Sequence, residues 1–587
     1  MAKLSDVYGG PLDEGVSIFT HIAEGLTKNP SGLAVITMHQ PADHLSALPR
    51  HTSAESNAVL AKNPSSHGCL AWTYQQLHEA ALKLAIGLQQ RGLQPGMRIA
   101  TFIPNRVEYP LILWVCTLLR LTLCSLDPGS SSTPREAELE SFLTRLKPDA
   151  IVVLDSSAAA QVDATISRSG ISDPEVKIIL EGESRASWGT ILDIAGHVRP
   201  SESETQALIS SALHDDPNRT CFIMFTSGTS SGRPKGCVRH VAGITHSLLV
   251  QHWGEEFHIH SRPVASTANF RIISPTLHLA AWKAGACAVM PDPNQGVQGV
   301  MQAIRDHGIT FLLFIPALLH AFVAELQAMS DSLNVSAIEA VTLGGDMVTR
   351  DLMVKAARAF PQAQIAVAHG MTEGGGFFDW PFFGRSIDDI PYHRDISPLG
   401  KVAKGVHTRI RDPDTGRVTQ RGEPGELIVQ CESIVKHYLD HTNEDAFLRD
   451  EVGDGGKAWF RTGDLAVIND DGLVYILGRI KDVIKRAGIP ITPAALENCI
   501  AGFTGSSAAV LAWVHAALGQ VPFAVVEALH GKTAEEVKMQ VVAMFGKDYA
   551  LEGVVTLQEL GLDSWPLNAT GKIMKLDLLA RVEEFLE

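Results

Sequence analysis

The chain has 587 residues, a formal net charge of −16, and 45% hydrophobic and 19% charged residues. These proportions are ordinary for a globular protein, and the length corresponds to roughly four domain-sized units. Because acidic residues are in excess, the chain has no overall basic footprint, and we expect no nucleic-acid partner. The eight cysteines are scattered and form no CxxC pair, which predicts a reducing, cytoplasmic location rather than a disulfide scaffold.

Membrane insertion is not expected from the hydrophobic pattern. The longest apolar stretch runs from Tyr109 to Leu119 and ends at Arg120. It is too short to span a bilayer, so it predicts a buried helix and no transmembrane segment.

Helical and strand patterns alternate along the first part of the chain. A helical pattern precedes a short strand at 33–37, and residues 38–68, rich in His, Pro, Ser and Asn, predict a long surface loop. A helix with apolar residues at helical spacing follows Thr73 and ends before Gly92. The next predicted elements are a strand at 98–103, a helix at 106–120, a strand at 121–126, a helix at 135–146 and a strand at 149–154.

A second alternating block extends from Cys221 to about residue 370. Its predicted strands lie at 221–225, 286–290, 311–314, 338–343 and 364–368. Such alternation is typical of parallel sheets covered by helices on both faces. From about residue 398, short strands separated by turn signals predict a small β-rich subdomain, and residues after Gly478 form a final unit.

The strongest local signal is a run of small and hydroxyl residues between Thr226 and Gly236. It reads TSGTSSGRPKG and follows an apolar strand. Flexible glycines allow backbone N–H groups to surround a polyphosphate, and Arg233 and Lys235 supply positive charge. The spacing is not that of a Walker A loop.

This loop resembles the phosphate-binding signature T-S-G-T-T-G-x-P-K-G of the adenylate-forming superfamily, with one extra Ser before Gly232. The superfamily includes acyl-CoA synthetases, peptide-synthetase adenylation domains and beetle luciferases. Four more stretches match the family in its order: His369-Gly370-Met371-Thr372-Glu373, Thr462-Gly463-Asp464-Leu465, Gly478-Arg479-Ile480-Lys481-Asp482 leading into Ile484-Lys485-Arg486-Ala487-Gly488, and Pro566-Leu567-Asn568-Ala569-Thr570-Gly571-Lys572.

The resemblance implies an α/β fold with two domains. A large N-terminal domain, residues 1–478, would contain mostly parallel sheets and the β-rich subdomain, and would bind ATP and a carboxylic acid. A small α+β C-terminal domain, residues 479–587, would be mobile and carry a catalytic lysine. In the family this domain rotates about a hinge near Lys481, so that one cavity serves two reactions.

The resemblance also implies roles for individual residues. Lys572 would stabilise negative charge at the α-phosphate in the transition state, with Thr372 and Glu373 as further catalytic groups and Glu373 as the Mg²⁺ ligand. Lys485 and Gly488 would serve the second step, with coenzyme A as acceptor. The other expected nucleotide-binding residues are Thr226, Ser227, Gly228, Thr229, Gly232, Lys235, Gly345, Asp346, His369, Gly370, Asp464 and Arg479.

The acid itself is constrained by the segment before Gly285. Counting back from that residue places Phe270 near the family's acyl-pocket gate, with Arg271 after it. No carboxylate is available there to pair with an amino group, which disfavours an amino-acid substrate. The glycines at 374–376 would either leave room for a long or aromatic acid or form a flexible loop.

The sequence therefore predicts a ligase that uses ATP and Mg²⁺ to convert a hydrophobic acid, fatty or aryl, to an acyl-adenylate and then to an acyl-CoA. One alternative keeps the adenylation but transfers the acyl group to a separate carrier protein. The other is a non-catalytic nucleotide-binding protein; the extra loop Ser and His369 in place of an aromatic residue are its only support.

Overall fold

The computed structural model describes residues 3–13, 15–49, 68–132, 135–184, 187–226, 234–251, 257–329, 333–440, 444–449, 458–487, 489–567 and 573–586. The α-helices in these ranges are α1 Ile18–Lys28, α2 Tyr74–Gln90, α3 Glu108–Leu118, α4 Glu136–Leu146, α5 Ser156–Ser169, α6 Ile191–Ala195, α7 Glu202–Leu213, α8 Val241–Val250, α9 Ile273–Ala284, α10 Gly296–His307, α11 Pro316–Ala328, α12 Arg350–Ala359, α13 Pro493–Thr504, α14 Ala534–Phe545 and α15 Lys575–Leu586. Within these ranges, no helix has the length and apolar character needed to cross a membrane.

The strands fall largely where the apolar patterns predict them. They are β1 Asp6–Tyr8, β2 Leu33–Pro41, β3 Cys69–Thr73, β4 Arg98–Phe102, β5 Thr122–Ser125, β6 Ala150–Val153, β7 Val176–Ile179, β8 Trp188–Gly189, β9 Thr220–Phe225, β10 Gly236–His240, β11 Ala288–Met290, β12 Phe311–Phe314, β13 Ala340–Gly344, β14 Gln364–Ala368, β15 Gly370–Met371, β16 Gly374–Gly375, β17 Phe378–Asp379, β18 Gly400–Val402, β19 His407–Arg411, β20 Gly425–Gln430, β21 Phe447–Arg449, β22 Ala458–Ile468, β23 Leu473–Arg479, β24 Ile484–Arg486, β25 Ile489–Ile491, β26 Ala508–His515, β27 Gly519–Val526 and β28 Val554–Thr556.

A seven-stranded sheet with the order β10-β9-β5-β4-β6-β7-β8 forms the first core. All its pairs are parallel except β10 with β9. Successive residues of β4 enter different hydrophobic clusters: Ile99 packs on one face and Ala100 on the other. Because both faces are buried, the strands are continuously apolar in sequence.

Two three-stranded sheets follow, β11-β2-β3 and β12-β13-β14. Their strand pairs are parallel except β2 with β3, which is antiparallel. Isolated bridges from Val264 to Val289 and from Pro263 to Phe311 lie between them. Strands β13 and β14 run parallel, with Gly344 opposite Ala368. The residues that follow these two strands therefore emerge side by side at one edge.

The predicted β-rich subdomain is a mainly antiparallel sheet of eight strands, β1-β19-β20-β22-β23-β18-β17, with β21 paired to β22. It includes β1 from the start of the chain, which pairs with β19. Asp6 on β1 contacts both His407 and Arg409 on β19. The sequence analysis did not predict this strand, because its pairing partner lies about 400 residues away.

Residues from Ile484 onward form a separate five-stranded sheet, β25-β24-β27-β26, with β28 beside β27. Two hydrophobic clusters fill it, and all their members come from this part of the chain. Helix α13 packs against β26 of its own sheet and against β23 of the preceding one.

The predicted surface loop at 38–68 is partly wrong. Strand β2 continues to Pro41, and the side chains of Gln40 and Leu48 are buried. Residues 50–67 of that prediction lie outside the described residues. The reason for the order at 40–48 is the carboxylate of Glu108 at the start of α3: it accepts hydrogen bonds from Gln40 at 3.0 Å and contacts His44 at 2.7 Å.

Glu108 is only 1% exposed, and its carboxylate is compensated by the Arg106 guanidinium at 2.8 Å. Burial alone would raise the pKa of Glu108, but the His44 hydrogen bond and the Arg106 charge hold it at about 2, below its usual 4.5. A carboxylate with a depressed pKa stabilises the fold above its unfolded-state pKa. Its contribution is therefore full above about pH 4.5 and is lost as the pH falls toward 2.

We expect Glu108→Gln to lower the free energy of unfolding at pH 7 by up to about 3–5 kcal/mol, because it removes the buried partner of Arg106 and leaves only the exposed Glu181. Urea unfolding at pH 7 and pH 4 measures this, and the variant should lose less stability than the parent between the two pH values. Glu181→Gln is the control, since Glu181 also binds Arg106 but its side chain is 59% exposed. Equal effects of the two substitutions would contradict the assignment.

Candidate functional site

The phosphate-binding loop predicted from the sequence connects the antiparallel strands β9 and β10. At its base, the Thr226 amide donates to the Lys235 carbonyl at 2.9 Å, and the Lys235 amide donates to Thr226 Oγ1 at 3.1 Å. Both ends of the loop are thus fixed on a buried hairpin. Between them, the predicted residues Ser227, Gly228, Thr229 and Gly232 lie outside the described residues.

Glu373 is connected to this hairpin by Tyr438, a residue that the sequence analysis did not single out. The hydroxyl of Tyr438 donates to Glu373 Oε1 at 2.9 Å, and the Lys235 ammonium lies 5.2 Å from the centre of the Tyr438 ring. The neighbouring Thr372 carbonyl accepts a 3.1 Å hydrogen bond from Arg239 on β10. The structure therefore brings Lys235, Thr372 and Glu373 together, as the motifs predict.

Asp464 and Arg479 face each other on paired strands. They are opposite residues of β22 and β23, and Arg479 Nε lies 3.0 Å from Asp464 Oδ1. Arg479 also donates to the Thr462 carbonyl at 2.8 Å, and Thr462 Oγ1 accepts from the Asp464 amide at 3.0 Å. These contacts hold the Asp464 carboxylate in one orientation.

The second oxygen of Asp464 is one of several buried polar atoms without a hydrogen-bond partner in the described residues, and it lies among the residues of the predicted nucleotide site. Oδ2 is buried and has no hydrogen-bond partner in the part of the chain that the structure describes; His369 Nε2 lies 3.8 Å away. A buried polar atom without a partner costs about 1–3 kcal/mol. A ribose hydroxyl would satisfy this oxygen, so the residues present fit the nucleotide that the motifs imply.

His369 follows β14, and Gly345 and Asp346 follow the neighbouring β13. The parallel register places Gly345 and His369 at the same sheet edge. The His369 ring packs 5.8 Å from Phe377 and 5.7 Å from Phe378. Gly345 has φ +82°, and a Cβ there would come within 2.9 Å of Ile315, so the turn favours glycine.

Glu373 supplies a single carboxylate, which suits Mg²⁺ only when phosphate oxygens of a bound nucleotide complete the coordination. No cluster of three or more metal-binding side chains exists within the described ranges. Mg²⁺ is commonly held by one or two carboxylates plus substrate phosphates. One carboxylate next to a phosphate loop therefore fits a metal that arrives with a triphosphate.

Two of the glycines at 374–376 do not have the role expected from the sequence. A Cβ on Gly374 would come within 2.7 Å of Ile434, and one on Gly376 within 2.6 Å of Val250. These two glycines are buried and let helix α8 and residue Ile434 approach the backbone, so they neither open a space nor form an exposed loop. At the predicted gate, Phe270 is half-buried. Burial lowers the pKa of Arg271, partly offset by Asp127.

In the C-terminal unit, Lys485 lies exposed on the β24–β25 hairpin, and its amide donates to Gln520 at 3.0 Å. Gly488 and Lys572, both predicted site residues, lie outside the described residues. Lys575, three positions after Lys572, forms a 2.6 Å ion pair with Glu497 of α13. Burial alone lowers the pKa of Lys575, but Glu497, Asp482 and Asp346 together raise it.

Tyr438, Arg239 and Lys575 are the residues that the sequence analysis missed. Lys575 could have been found from its position next to the Lys572 motif. Tyr438 and Arg239 carry no such signal, since their partners lie 65 and 133 positions away in the chain.

Comparison with known proteins shows which family the chain belongs to. A family model described as AMP-binding enzyme matches residues 53–439. An acyl–CoA ligase of Pestalotiopsis microspora, GME11374, is 35% identical over 99% of both chains. The 4-coumarate–CoA ligase 1 of Arabidopsis thaliana is 25% identical over 89% of both chains. The ATP-bound crystal structure of MatB from Rhodopseudomonas palustris superimposes with a TM-score of 0.74 at 20% identity, covering 98% of this chain and 100% of that one.

The matches confirm the α/β fold and the resemblance inferred from the five motifs. They also agree with the two-step chemistry of acid activation followed by thioester formation. The chain belongs to the AMP-binding enzyme family of adenylate-forming enzymes, and it is an acid–thiol ligase of the acyl-CoA synthetase class.

Proposed function

We propose that this ligase activates a hydrophobic carboxylic acid, fatty or aryl, with Mg²⁺·ATP and transfers the acyl group to coenzyme A. The main support for the nucleotide site is that Asp464 Oδ2, close to His369 and Arg479, is buried without a hydrogen-bond partner in the described residues. An aryl acid is supported by the likeness to 4-coumarate–CoA ligases. The absence of a carboxylate at Phe270 and Arg271 disfavours an amino acid.

In this proposal the polar edge of the sheets binds ATP. Thr226, Ser227, Gly228, Thr229, Gly232 and Lys235 surround the phosphates, and Asp464 with Arg479 holds the ribose. Gly345, Asp346, His369 and Gly370 line the adenine, with Gly345 and Asp346 also bordering the acid. Mg²⁺ bound with the triphosphate neutralises phosphate charge, and Thr372 and Glu373 are the protein groups next to it.

Lys572 is proposed to face the α-phosphate during attack by the acid carboxylate. That attack concentrates negative charge on the bridging oxygens, and a cation aimed there stabilises the transition state more than the ground state. The carboxylate oxygen forms the new bond to phosphorus, and pyrophosphate leaves. In the second step the CoA thiol loses its proton, attacks the acyl carbon and displaces AMP.

We further propose that residues 1–478 and 479–587 act as two domains that rotate between these steps. The separate sheet and clusters after Ile484 support the division. Lys485 and Gly488 would then face the acyl-adenylate. A cytoplasmic location is proposed because all eight cysteines are unpaired, six of them buried, as expected for a reducing compartment.

The direct test is pyrophosphate release with ATP, Mg²⁺ and a panel of cinnamic, benzoic and fatty acids, with and without CoA. We expect acid-dependent release that accelerates with CoA and yields an acyl-CoA by mass spectrometry. Lys572→Ala should lower the rate about 10²- to 10³-fold. Release that stalls after one turnover despite CoA would favour a carrier-protein acceptor, and ATP binding without release would favour a non-catalytic protein.

Asp464→Asn should raise the KM for ATP roughly 10- to 100-fold, because hydrogen bonds to a charged group contribute about 1.5–3 kcal/mol. The parent enzyme should prefer ATP to 2′,3′-dideoxy-ATP, and the variant should lose that preference. Asp471→Asn, an exposed residue of the β22–β23 turn, is the matched control. Unchanged discrimination in Asp464→Asn would exclude the ribose assignment.

Lys575→Met should lower acid-dependent pyrophosphate release about 10- to 100-fold, because small displacements of a catalytic group are costly. Removing the Lys575–Glu497 ion pair loosens the start of α15 and with it the position of Lys572. Thioester formation from synthetic acyl-adenylate and CoA should be unaffected. Arg581→Met on the same helix is the control, and equal losses in both half-reactions would argue against this role.

A further inference from the structure

We propose that Tyr438 is a positioning residue that orients the Glu373 carboxylate and keeps it apart from the Lys235 ammonium, so that both charges stay available to a metal-bound triphosphate. The inference rests on the proposed role of Glu373 at Mg²⁺·ATP. It adds a residue from a part of the chain that carries none of the five motifs.

The first observation is the hydrogen bond from the Tyr438 hydroxyl to Glu373 Oε1, 2.9 Å long. Tyr438 is 2% exposed and Glu373 is half-buried, so the bond is partly shielded from water. A hydrogen bond to one carboxylate oxygen fixes the rotation of the group and thereby the direction of the other oxygen. Such outer partners of metal-binding groups commonly tune metal affinity 10- to 100-fold.

The second observation is the position of Lys235. Its ammonium lies over the Tyr438 ring, 5.2 Å from the centroid, a distance at which a cation is attracted by the ring face. Lys235 and Glu373 both contact this tyrosine, and among the described residues they form no ion pair with each other. In the proposal the ring acts as a spacer between two opposite charges that would otherwise neutralise each other.

The third observation is that the backbone around Tyr438 is tied to both partners. The Val435 amide donates to the Glu373 carbonyl at 2.8 Å, and the Leu439 amide donates to the Gly236 carbonyl at 2.8 Å. Tyr438 itself forms an antiparallel bridge with Cys237. The segment 435–439 thus joins the strand after the phosphate loop to the Glu373 turn, and the backbone that carries the ring is held against both.

The protonation state of the phenol agrees with a donor role. Burial raises the pKa of Tyr438 well above its ordinary value, and the Glu373 carboxylate and Cys237 raise it further. The hydroxyl therefore keeps its proton and donates to Glu373 Oε1.

Two substitutions separate the two roles. Tyr438→Phe removes the hydroxyl and retains the ring, so it should weaken only the metal-dependent part of ATP binding. We expect the Kd of ATP with Mg²⁺ to rise about 10-fold, within the range for outer partners of metal ligands, while the Kd in EDTA stays unchanged. Tyr438→Leu removes the spacer as well, so the Kd should rise under both conditions. Isothermal titration calorimetry on the full chain measures both constants without any turnover.

The matched control is Tyr475→Phe. The Tyr475 hydroxyl is also buried and donates to the Pro391 carbonyl at 2.6 Å, away from the phosphate hairpin. Its removal should change the melting temperature about as much as Tyr438→Phe and leave both binding constants as in the parent. Comparable melting temperatures for the two variants show that both are folded.

A Tyr438→Phe variant that binds Mg²⁺·ATP as tightly as the parent overturns the proposal, and so does an equal loss in Tyr475→Phe. If Tyr438→Phe weakens ATP binding in EDTA as much as it does with Mg²⁺, the hydroxyl has a structural role only, and this result also overturns the proposal. If the Kd of ATP for the parent protein is the same with Mg²⁺ and in EDTA, the proposed role of Glu373 is wrong. The titration of the parent protein alone distinguishes this outcome.

Discussion

Burial of both faces of the parallel sheets confines the polar chemistry of this protein to the ends of strands. Strands such as β4 and β13 are apolar on each side, and a charge in their interior would have no solvent or partner. Several site residues therefore lie where the parallel strands stop: Thr226 after β9, Gly345 and Asp346 after β13, and His369 after β14. Asp464 is an exception, since it lies within β22 of the antiparallel sheet, opposite Arg479.

The same constraint explains how an acidic chain can present an anion-binding site. The net charge of −16 is distributed over the whole molecule, whereas Lys235, Arg239 and Arg479 lie at the strand ends next to Thr372, Glu373 and Asp464. Each of these cations already has a protein contact that holds it in place. Local placement of a few cations can therefore outweigh the overall charge, because interactions between exposed charges are screened beyond about 10 Å.

The C-terminal unit adds a second constraint, since it has its own sheet and its own hydrophobic clusters. Helix α13 packs against β23 and so joins this unit to the β-rich sheet.

The sequence by itself determined the alternating elements, the separate β-rich and C-terminal units, and the motifs that contain Glu373, Asp464 and Lys235. These follow from local patterns: continuous apolar strands, helical spacing, and short motifs whose residues are neighbours in the chain. Two strand ends were also predictable in outline, because the motifs that begin at Thr226 and His369 start where apolar runs stop.

Only the tertiary structure decided the contacts between distant segments. Tyr438 reaches Glu373 across 65 positions, Glu108 fixes a segment that composition alone assigned to a loop, and β1 completes a sheet about 400 residues away. Likewise, glycine is required at 374 and 376 because Ile434 and Val250 pack where a side chain would lie. No local pattern encodes such pairs, because side-chain contacts across a core depend on how whole elements pack rather than on spacing along the chain.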